Sequence, residues 1–272
     1  MRDDHEQRVW TGPVATAAVC VALAALAAGC GSSRRATRPP PPPPTTTAPA
    51  QPAVVPKTCV AGSARLLGSA RRAYGGWAGH GAVAVGRPGG AVVARFAATN
   101  VNRYPTVFGV LGMVVGRDCR PRWYRVQLPV QPNGSAGYIR ADALVLRAIP
   151  SRITVDLSQR RLTLYENGAR TLTSAVAVGA PATPTPTGRY YVNQRLVPED
   201  PAGPYGPGAV GISAFSDVLT GWTQGGPVAI HGTNEPWSIG RAVSNGCIRL
   251  PNATLRRVFA AAVAGTPVII TA

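Results

Sequence analysis

Short apolar runs, each closed by residues that favour turns, recur along the chain from residue 82 to the end. Gly 31 and Pro 27 are abundant among the 272 residues, whereas aromatic residues make up only 6%. This pattern favours short strands joined by turns over long helices. A hydrophobic share of 45% suffices for a sizeable core and excludes disorder along the whole chain. We therefore expect a mainly β protein, with helices at Ser63–Tyr74 and Asn252–Ala264.

The apolar runs fall into two groups, which predict two domains at residues 57–148 and 151–272. The strands predicted in the first group are Ala82–Val85, Ala91–Phe96, Val107–Val115, Trp123–Leu128 and Ala143–Leu146. The segment from Trp123 to Ile139 resembles the end of a small SH3-like barrel, and a β-rich spacer of another kind is the alternative.

The second group opens with a hairpin and closes with a helix and a strand. Apolar residues alternate over 153–157 and again at 162 and 164, as expected of two half-buried strands. Asn252 is the expected N-cap of the helix and Gly265 its stop, before a strand at Pro267–Ile270. We expect this domain to be a β-sandwich.

The first thirty residues read as an export signal. No residue from Trp10 to Ser33 is charged, and the apolar part, Val14–Ala28, is shorter than the roughly 20 residues that span a bilayer. The end of this segment, Leu26 to Cys30, resembles a bacterial lipoprotein processing site, although Ala27 stands where Leu is usual. Lipidation of Cys30, an uncleaved signal anchor and an ordinary cleaved signal peptide are the alternatives. All three predict an exported protein, and the first two hold it on the outer side of the cytoplasmic membrane.

Residues 31–56 are predicted to be an extended spacer. Pro39–Pro44 are six consecutive prolines, which lack a backbone donor and cannot build a core. At about 3.1 Å per residue the spacer reaches on the order of 80 Å. A tether of this length suits a target held away from the membrane, such as the cell wall.

Positive charge is concentrated in the first predicted domain. The net charge of the chain is +17, and residues 57–150 contain one lysine and twelve arginines against two aspartates. No nucleic-acid-binding motif accompanies them, and the export signal argues against a nucleic acid partner. An anionic wall polymer and simple solvation of the surface remain the two interpretations.

The five cysteines separate by position. Cys20 lies in the apolar signal and Cys30 is the lipidation candidate. An exported compartment permits a disulfide between Cys59 and Cys119. One thiol is left over, and a leftover thiol in a secreted protein is a candidate reactive group.

That candidate, Cys247, has one imidazole available to it within its domain, His231. A neighbouring imidazole is a common means of activating a thiol for nucleophilic attack. Glycines flanking both residues allow backbone N–H groups to approach an oxyanion, and Arg249 could bind a substrate carboxylate. A catalytic zinc site normally has three protein ligands, whereas only His231 and Cys247 are evident as candidates here. We therefore expect no metal and no cofactor. No acidic pair of the glycosidase type lies in a recognisable motif.

The stretch His231-Gly232-Thr233, followed by Ser244-Asn245-Gly246-Cys247-Ile248-Arg249-Leu250, resembles the signature of the L,D-transpeptidase catalytic family, YkuD. The similarity extends over most of 151–272 and includes the segments 184–188, 205–206 and 265–269. Asn245 departs from the pattern, since many members have a second histidine there.

The resemblance implies an enzyme of cell-wall biogenesis that cross-links peptidoglycan stem peptides. Cys247 would be the nucleophile and His231 its general base. Ser244, Asn245 and Gly246 would shape the site, with Gly246 and Cys247 as oxyanion donors. Arg249, Gly232 and Thr233 would contribute to substrate binding. Carbapenems are the expected inhibitors.

Three other functions remain open from the sequence, and one of them is the anchoring of a protein to the wall by the same acyl transfer. The thioester could pass to water, which would make the protein an L,D-carboxypeptidase. Alternatively Cys247 could be merely packed, in a non-catalytic module that binds the wall. The group that orients His231 is not assigned.

Overall fold

The computed structural model describes residues 59–221 and 223–272. The predicted signal (1–30), its lipidation candidate Cys30 and the proline-rich spacer (31–56) lie outside the described residues. Within the described part no helix is both long and apolar enough to cross a membrane. The fold is mainly β, as the sequence predicted.

Residues 64–149 form one sheet, here called the N-terminal sheet. Its strands are β1 (Ala64–Leu66), β2 (Ala73–Trp77), β3 (Ala82–Val85), β4 (Val92–Phe96), β5 (Val107–Val115), β6 (Pro121–Gln127), β7 (Ala136–Arg140) and β8 (Val145–Ile149). Their order is β4-β3-β7-β6-β5-β2-β8, and β1 pairs with β5 beyond the end of β2. Every pairing is antiparallel. Cys59 and Cys119 form a disulfide beside this sheet.

The helix predicted at Ser63–Tyr74 is wrong. Ala64–Leu66 instead pair with residues 112–114 of β5, and Leu67 N–H donates to the carbonyl of Leu111 at 3.0 Å. Gly68 then adopts a φ of +101°, which a helix does not allow. Leu66 is 86% exposed, so the segment also has no buried apolar face of the kind that stabilises a helix.

Residues 151–271 form a second sheet, here called the catalytic sheet because the predicted nucleophile lies beside it, and one helix. The strands are β9 (Ser151–Asp156), β10 (Arg161–Glu166), β11 (Ala169–Ala175), β12 (Val178–Gly179), β13 (Gly188–Leu196), β14 (Ala209–Phe215), β15 (Pro227–His231), β16 (Ala242–Ser244), β17 (Ile248–Arg249) and β18 (Pro267–Thr271). Eight of them run in the order β11-β10-β9-β18-β13-β14-β15-β17, and β12 pairs separately with β16. The predicted hairpin is confirmed by the antiparallel pairing of β9 with β10.

The single α-helix of the described residues, α1 (Asn252–Ala261), ends three residues earlier than predicted. Pro251, and not Asn252, stands at its N-cap position. The amide of Asn252 is engaged elsewhere, because its Oδ1 accepts a hydrogen bond from Thr233 N–H at 2.8 Å. Gly265 lies in the turn before β18 with a φ of +90°, where an added Cβ would come within 2.9 Å of Gly75 Cα.

Each sheet has its own core. In the catalytic domain Val, Ile and Leu side chains of β9, β10, β13–β15, β17 and β18 pack with Leu255 and Val258 of α1. The smaller N-terminal core includes Ala78, Ala82 and Ala84 beside Phe108. The small side chains fill less volume, so this core buries less apolar surface.

Polar side chains connect the N-terminal sheet to β13 and β14, which are interior strands of the catalytic sheet. Gln127 Nε2 donates to the carbonyl of Arg189 at 2.7 Å. Asn133 bonds both backbone groups of Phe215, accepting from its N–H at 2.9 Å and donating to its carbonyl at 2.7 Å. These contacts attach the N-terminal sheet to the strands that lead to the candidate site.

Candidate active site

The strand pair β15 and β17 brings the predicted nucleophile and base together. The two strands are parallel, with Ile230 opposite Ile248 and His231 opposite Arg249. Both isoleucines are fully buried, so by strand alternation His231 and Arg249 project from the other face. Cys247 immediately precedes β17 and falls on the same face as His231. With neighbouring strands about 4.8 Å apart and a rise of about 3.3 Å per residue, an offset of two residues separates the Cα atoms by about 8 Å, a distance that an imidazole and a thiol side chain can bridge.

His231 is held in one orientation. Its Nδ1 lies 2.5 Å from the carbonyl oxygen of Gly232, which can only accept, so Nδ1 carries the proton. Nε2 of the neutral ring is therefore free to accept a proton. The ring of Tyr205 packs against the imidazole edge to face, with centroids 4.9 Å apart. The orienting group that the sequence left unassigned is thus a backbone carbonyl.

Burial also fixes the charge state of His231. The residue is only 4% exposed, and this burial lowers its pKa from 6.5 to about 4. The carbonyl of Gly232 opposes the shift by stabilising the protonated ring, while the positive charge of Arg249 adds to it. At neutral pH His231 is accordingly an uncharged base.

Cys247 is a free, partly exposed cysteine. Desolvation raises the pKa of its thiol, and a hydrogen bond from the Ala229 backbone and the charge of Arg249 oppose that rise. At neutral pH the resting pair is therefore a neutral thiol beside a neutral imidazole. Such a pair forms its thiolate by transferring the proton to His231 as attack begins.

The turn that presents Cys247 is built by Ser244. Its hydroxyl donates to the carbonyl of Cys247 at 2.5 Å and accepts from Gly246 N–H at 3.3 Å. Thr183 Oγ1 donates to the carbonyl of Ser244 at 3.0 Å and anchors the turn from outside. Gly246 has a φ of +102°, a conformation that L side chains rarely adopt. Asn245, the residue that departs from the family pattern, is exposed.

Gly232 and Thr233, predicted to bind substrate, lie inside the loop that follows β15. Thr233 is 4% exposed, and its Oγ1 accepts from Glu235 N–H at 2.9 Å. The amide oxygen of Asn252 packs so closely against Gly232 and Gly206 that neither position has room for a Cβ. The structure therefore places Gly232 and Thr233 as supports of the loop that fixes His231.

Arg249 does not face open solvent. Its side chain is 18% exposed, and its Nη1 donates to Glu235 Oε2. Glu235 was not predicted to pair with Arg249, and Asn252 and Thr183 were not predicted to support the site. Their signal in the sequence is weak, because a short polar residue before a helix or in a turn is usual.

No group of three or more His, Cys, Asp or Glu side chains within 59–221 and 223–272 is arranged to hold a metal ion. The chemistry that this arrangement supports directly is acyl transfer through a thioester. It has a thiol, a neutral base with a fixed tautomer and a nearby cation.

Comparison with known proteins agrees with this geometry. The family model of the L,D-transpeptidase catalytic domain, YkuD, matches residues 150–270. The YkuD protein of Bacillus subtilis (strain 168) is 36% identical over 131 residues, which are 46% of this chain and 72% of that protein. The YkuD protein of Bacillus licheniformis is 38% identical over 151 residues, covering 53% of this chain and 84% of that protein.

Solved structures of L,D-transpeptidases also match in part. The Enterococcus faecium enzyme is 26% identical, with a TM-score of 0.34, over 44% of this chain and 49% of that one. L,D-transpeptidase 3 of Mycobacterium tuberculosis is 16% identical, with a TM-score of 0.38, over 56% of this chain and 79% of that one. The family assignment rests on the two Bacillus relatives, most of whose length this chain covers. The chain belongs to the YkuD family of L,D-transpeptidase catalytic domains and is an enzyme of that class.

Proposed function

We propose that the protein cross-links peptidoglycan stem peptides through a thioester on Cys247. The acyl donor is a tetrapeptide stem whose third residue is a diamino acid, and the leaving group is the terminal D-alanine. The acceptor is the side-chain amine of a neighbouring stem. The observation that carries this proposal is the strand pairing that puts Cys247 on the same face as His231, whose Nε2 is left unprotonated by the Gly232 contact.

In the acylation half, Sγ of Cys247 attacks the carbonyl carbon of the third stem residue while its proton passes to His231 Nε2. The tetrahedral intermediate collapses when the bond to the D-alanine nitrogen breaks. His231 returns its proton to that nitrogen, so the leaving group departs as a neutral amine. The products are a thioester and free D-alanine.

In the second half the acceptor amine attacks the thioester carbonyl and loses a proton to His231. The C–S bond breaks, and the sulfur recovers a proton from His231. His231 thus acts as base and acid once in each half. An imidazole that is neutral at rest suits this role, because the imidazolium forms only transiently.

Backbone N–H groups stabilise the oxyanion in this proposal. Gly246 N–H already donates to Ser244 Oγ in the structure, at 3.3 Å, a long bond that ties it to the turn. We therefore assign the larger share of the oxyanion contact to Cys247 N–H. The positive φ of Gly246 supports this role because it sets the direction of the following peptide group.

We also propose that the protein is an exported lipoprotein that acts in the cell wall from the outer side of the cytoplasmic membrane. The support is the Leu26–Cys30 segment and the proline-rich spacer after it, both read from the sequence. An SH3-like middle domain over 57–148 belongs to the same proposal. Carbapenems should acylate Cys247 as they do other thioester-forming enzymes of the family.

The test is incubation of the purified protein with disaccharide-tetrapeptide, followed by mass spectrometry, beside the Cys247→Ala variant. We expect a cross-linked dimer that has lost one D-alanine, absent with the variant. Monomeric tripeptide without dimer would identify a carboxypeptidase, in which water takes the acyl group. An unchanged substrate together with an unreactive Cys247 thiol would overturn the proposal in favour of a binding module.

A further inference from the structure

The backbone of Arg249 is held by pairing on both of its sides. Its backbone pairs with His231 of β15 on one side. On the other side its N–H and carbonyl both bond to Ala177 at 3.0 Å. The Arg249 side chain therefore projects from a rigid segment of backbone, on the same face as Cys247. Two residues along a strand are about 6.6 Å apart, so this cation lies within one side-chain length of the nucleophile.

The partner of Arg249 is a more exposed carboxylate on the loop after β15. The side chain of Glu235 is 42% exposed, against 18% for Arg249. The backbone of Glu235 is anchored, because its carbonyl accepts from Ser238 Oγ at 2.7 Å and its N–H donates to Thr233 Oγ1 at 2.9 Å. Two other ion pairs of the described residues, Arg122–Asp118 and Arg140–Asp142, join exposed side chains and have no such asymmetry.

Glu235 leaves part of the guanidinium unused. The contact is made through Nη1, whereas Nε of Arg249 is buried and has no hydrogen-bond partner in the protein. A guanidinium presents its donors as a planar fork that matches a carboxylate through two parallel bonds. Arg249 therefore has the geometry of a carboxylate-binding group, and Glu235, its present partner, does not use all of the guanidinium donors.

The two partners differ in what separation would cost. A mostly buried arginine left without a counter-charge is strongly unfavourable. A glutamate that is nearly half exposed can turn into water at little cost. An incoming carboxylate can therefore replace Glu235 and leave Arg249 paired throughout.

The proposed donor supplies such a group at a suitable place. Its leaving residue carries a terminal carboxylate, one residue beyond the carbonyl that Cys247 attacks. One residue is about 3.8 Å, so in a donor seated on the Cys247 sulfur this carboxylate is close enough to be reached by a guanidinium that starts two residues along the strand.

We propose that Glu235 occupies Arg249 in place of a substrate carboxylate, and that the carboxylate of the leaving residue displaces Glu235 when the donor binds. This inference rests on the proposed function for the identity of the donor. Glu235 is then an internal competitor that sets the preference for carboxylate-terminated donors, and Arg249 is the group that binds them.

The first experiment needs no peptidoglycan. Iodoacetate and iodoacetamide alkylate the same thiolate, but only iodoacetate carries a carboxylate. The ratio of their rates at Cys247 therefore reports an available cation beside the sulfur, and changes in thiol pKa cancel. The full-length protein is compared with Glu235→Gln, Arg249→Gln and Glu166→Gln. Glu166 lies on β10, far from β17 in the sheet order, and is the charge-matched control.

We expect Glu235→Gln to raise the iodoacetate-to-iodoacetamide ratio about three- to tenfold, because the competing charge is removed. Arg249→Gln should lower the ratio below that of the unmodified protein. Equal ratios for Glu235→Gln and Glu166→Gln would overturn the proposal. So would a ratio unaffected by Arg249→Gln in a variant whose circular dichroism is unchanged.

The second experiment uses the tetrapeptide donor with a free terminal carboxylate and with a terminal amide. Glu235→Gln should lower KM for the carboxylate donor about threefold or more and leave KM for the amide donor unchanged. Equal effects on both donors would mean that the pair serves only to hold the loop, and would overturn the proposal. If the unmodified protein processes neither donor, the proposed function fails, while the alkylation ratio still decides the carboxylate site.

Discussion

The N-terminal sheet and the catalytic sheet use cysteine in opposite ways. Cys59 and Cys119 are joined beside the N-terminal sheet, so neither sulfur is free to react. Cys247 of the catalytic domain is unpaired and lies on the same face as a buried imidazole. A disulfide matters most for the stability of a small core, because such a core buries too little apolar surface to offset much of the conformational entropy that the chain loses on folding. The difference assigns support to one sheet and chemistry to the other.

The two cores show the same division. The catalytic core consists mostly of Val, Ile and Leu side chains, and its sheet includes the parallel pairs β9–β18 and β15–β17. The N-terminal core is smaller, relies partly on alanines and has only antiparallel pairs. We therefore expect perturbations of the first sheet to change stability without changing reactivity, and perturbations around the site of the second sheet to change reactivity as well.

The largest test of this division removes the disulfide. Replacing both Cys59 and Cys119 by Ala should lower the free energy of unfolding by up to about 4 kcal/mol, since the bridged residues are 60 positions apart. The loss should fall on the N-terminal sheet, which contains Trp77 and Trp123. Urea unfolding followed by tryptophan fluorescence measures it, in a background in which Trp222 and Trp237 of the other domain are replaced by Phe.

The matched control for that variant is Cys247→Ala, which removes a thiol from the other sheet. The alkylation rate of Cys247 in the double variant, measured in native buffer, should stay close to that of the unmodified protein. A Cys247 that becomes markedly more reactive would show that the two sheets do not divide support from chemistry.

The second test uses acid, which acts on the catalytic sheet through His231. The pKa of His231 is about 4 in the folded protein and 6.5 as a free side chain, so between these values the unfolded chain binds the proton more readily. Stability should therefore be complete above about pH 6.5 and fall as the pH drops toward 4. The loss is on the order of 3 kcal/mol, by the usual linkage of proton binding to unfolding.

Unfolding free energies of the unmodified protein and His231→Gln, measured from pH 4 to pH 7, provide the comparison. The variant lacks the titrating ring, so its curve should be flatter over this range. Two parallel curves would mean that acid acts through other groups, and that the imidazole is not buried as a neutral base.

Local patterns predicted the strands whose pairing partners follow closely in the chain. Val107–Val115 and Ala82–Val85 are strands over the predicted residues, and the hairpin of β9 and β10 is in place. The helix prediction for 63–74 was wrong because residues 64–66 pair with a segment of β5 that lies almost fifty residues further along the chain. A helix propensity read from the segment itself contains no information about that partner.

The candidate site shows the same limit. His231 and Cys247 could be chosen from the sequence because they are a base and a nucleophile within a specific motif. Nothing in the sequence pairs Arg249 with Glu235, fourteen residues earlier, among the acids of the domain. Asn252 was expected to cap its own helix, whereas the structure has it bonding a loop nineteen residues before it. Short polar side chains have several possible partners, and only the packed chain selects one.

The smallest expected effect concerns the connection between the two sheets. Asn133 makes three side-chain hydrogen bonds across it, two to the backbone of Phe215 and one to Asp217 Oδ1 at 3.0 Å. Asn133→Ala should lower the free energy of unfolding by about 2 kcal/mol, since each net hydrogen bond contributes about 1 kcal/mol or less. If the coupling between the sheets is weaker, the N-terminal sheet should unfold at a lower urea concentration than the catalytic sheet. The fluorescence transition of the N-terminal sheet should then come before the transition at which Cys247 becomes exposed to alkylation.

Asn102→Ala is the matched control, because Asn102 reaches Gln194 Oε1 of β13 through one side-chain bond at 2.9 Å and is exposed. It should cost less than half as much and leave the two transitions coincident. If both variants behave alike, hydrogen bonds are not what holds the sheets together. The close packing of Gly109 on the ring of Tyr191 would then be the determining contact, and a Gly109→Ala variant, whose Cβ would lie 2.9 Å from that ring, would separate the transitions instead.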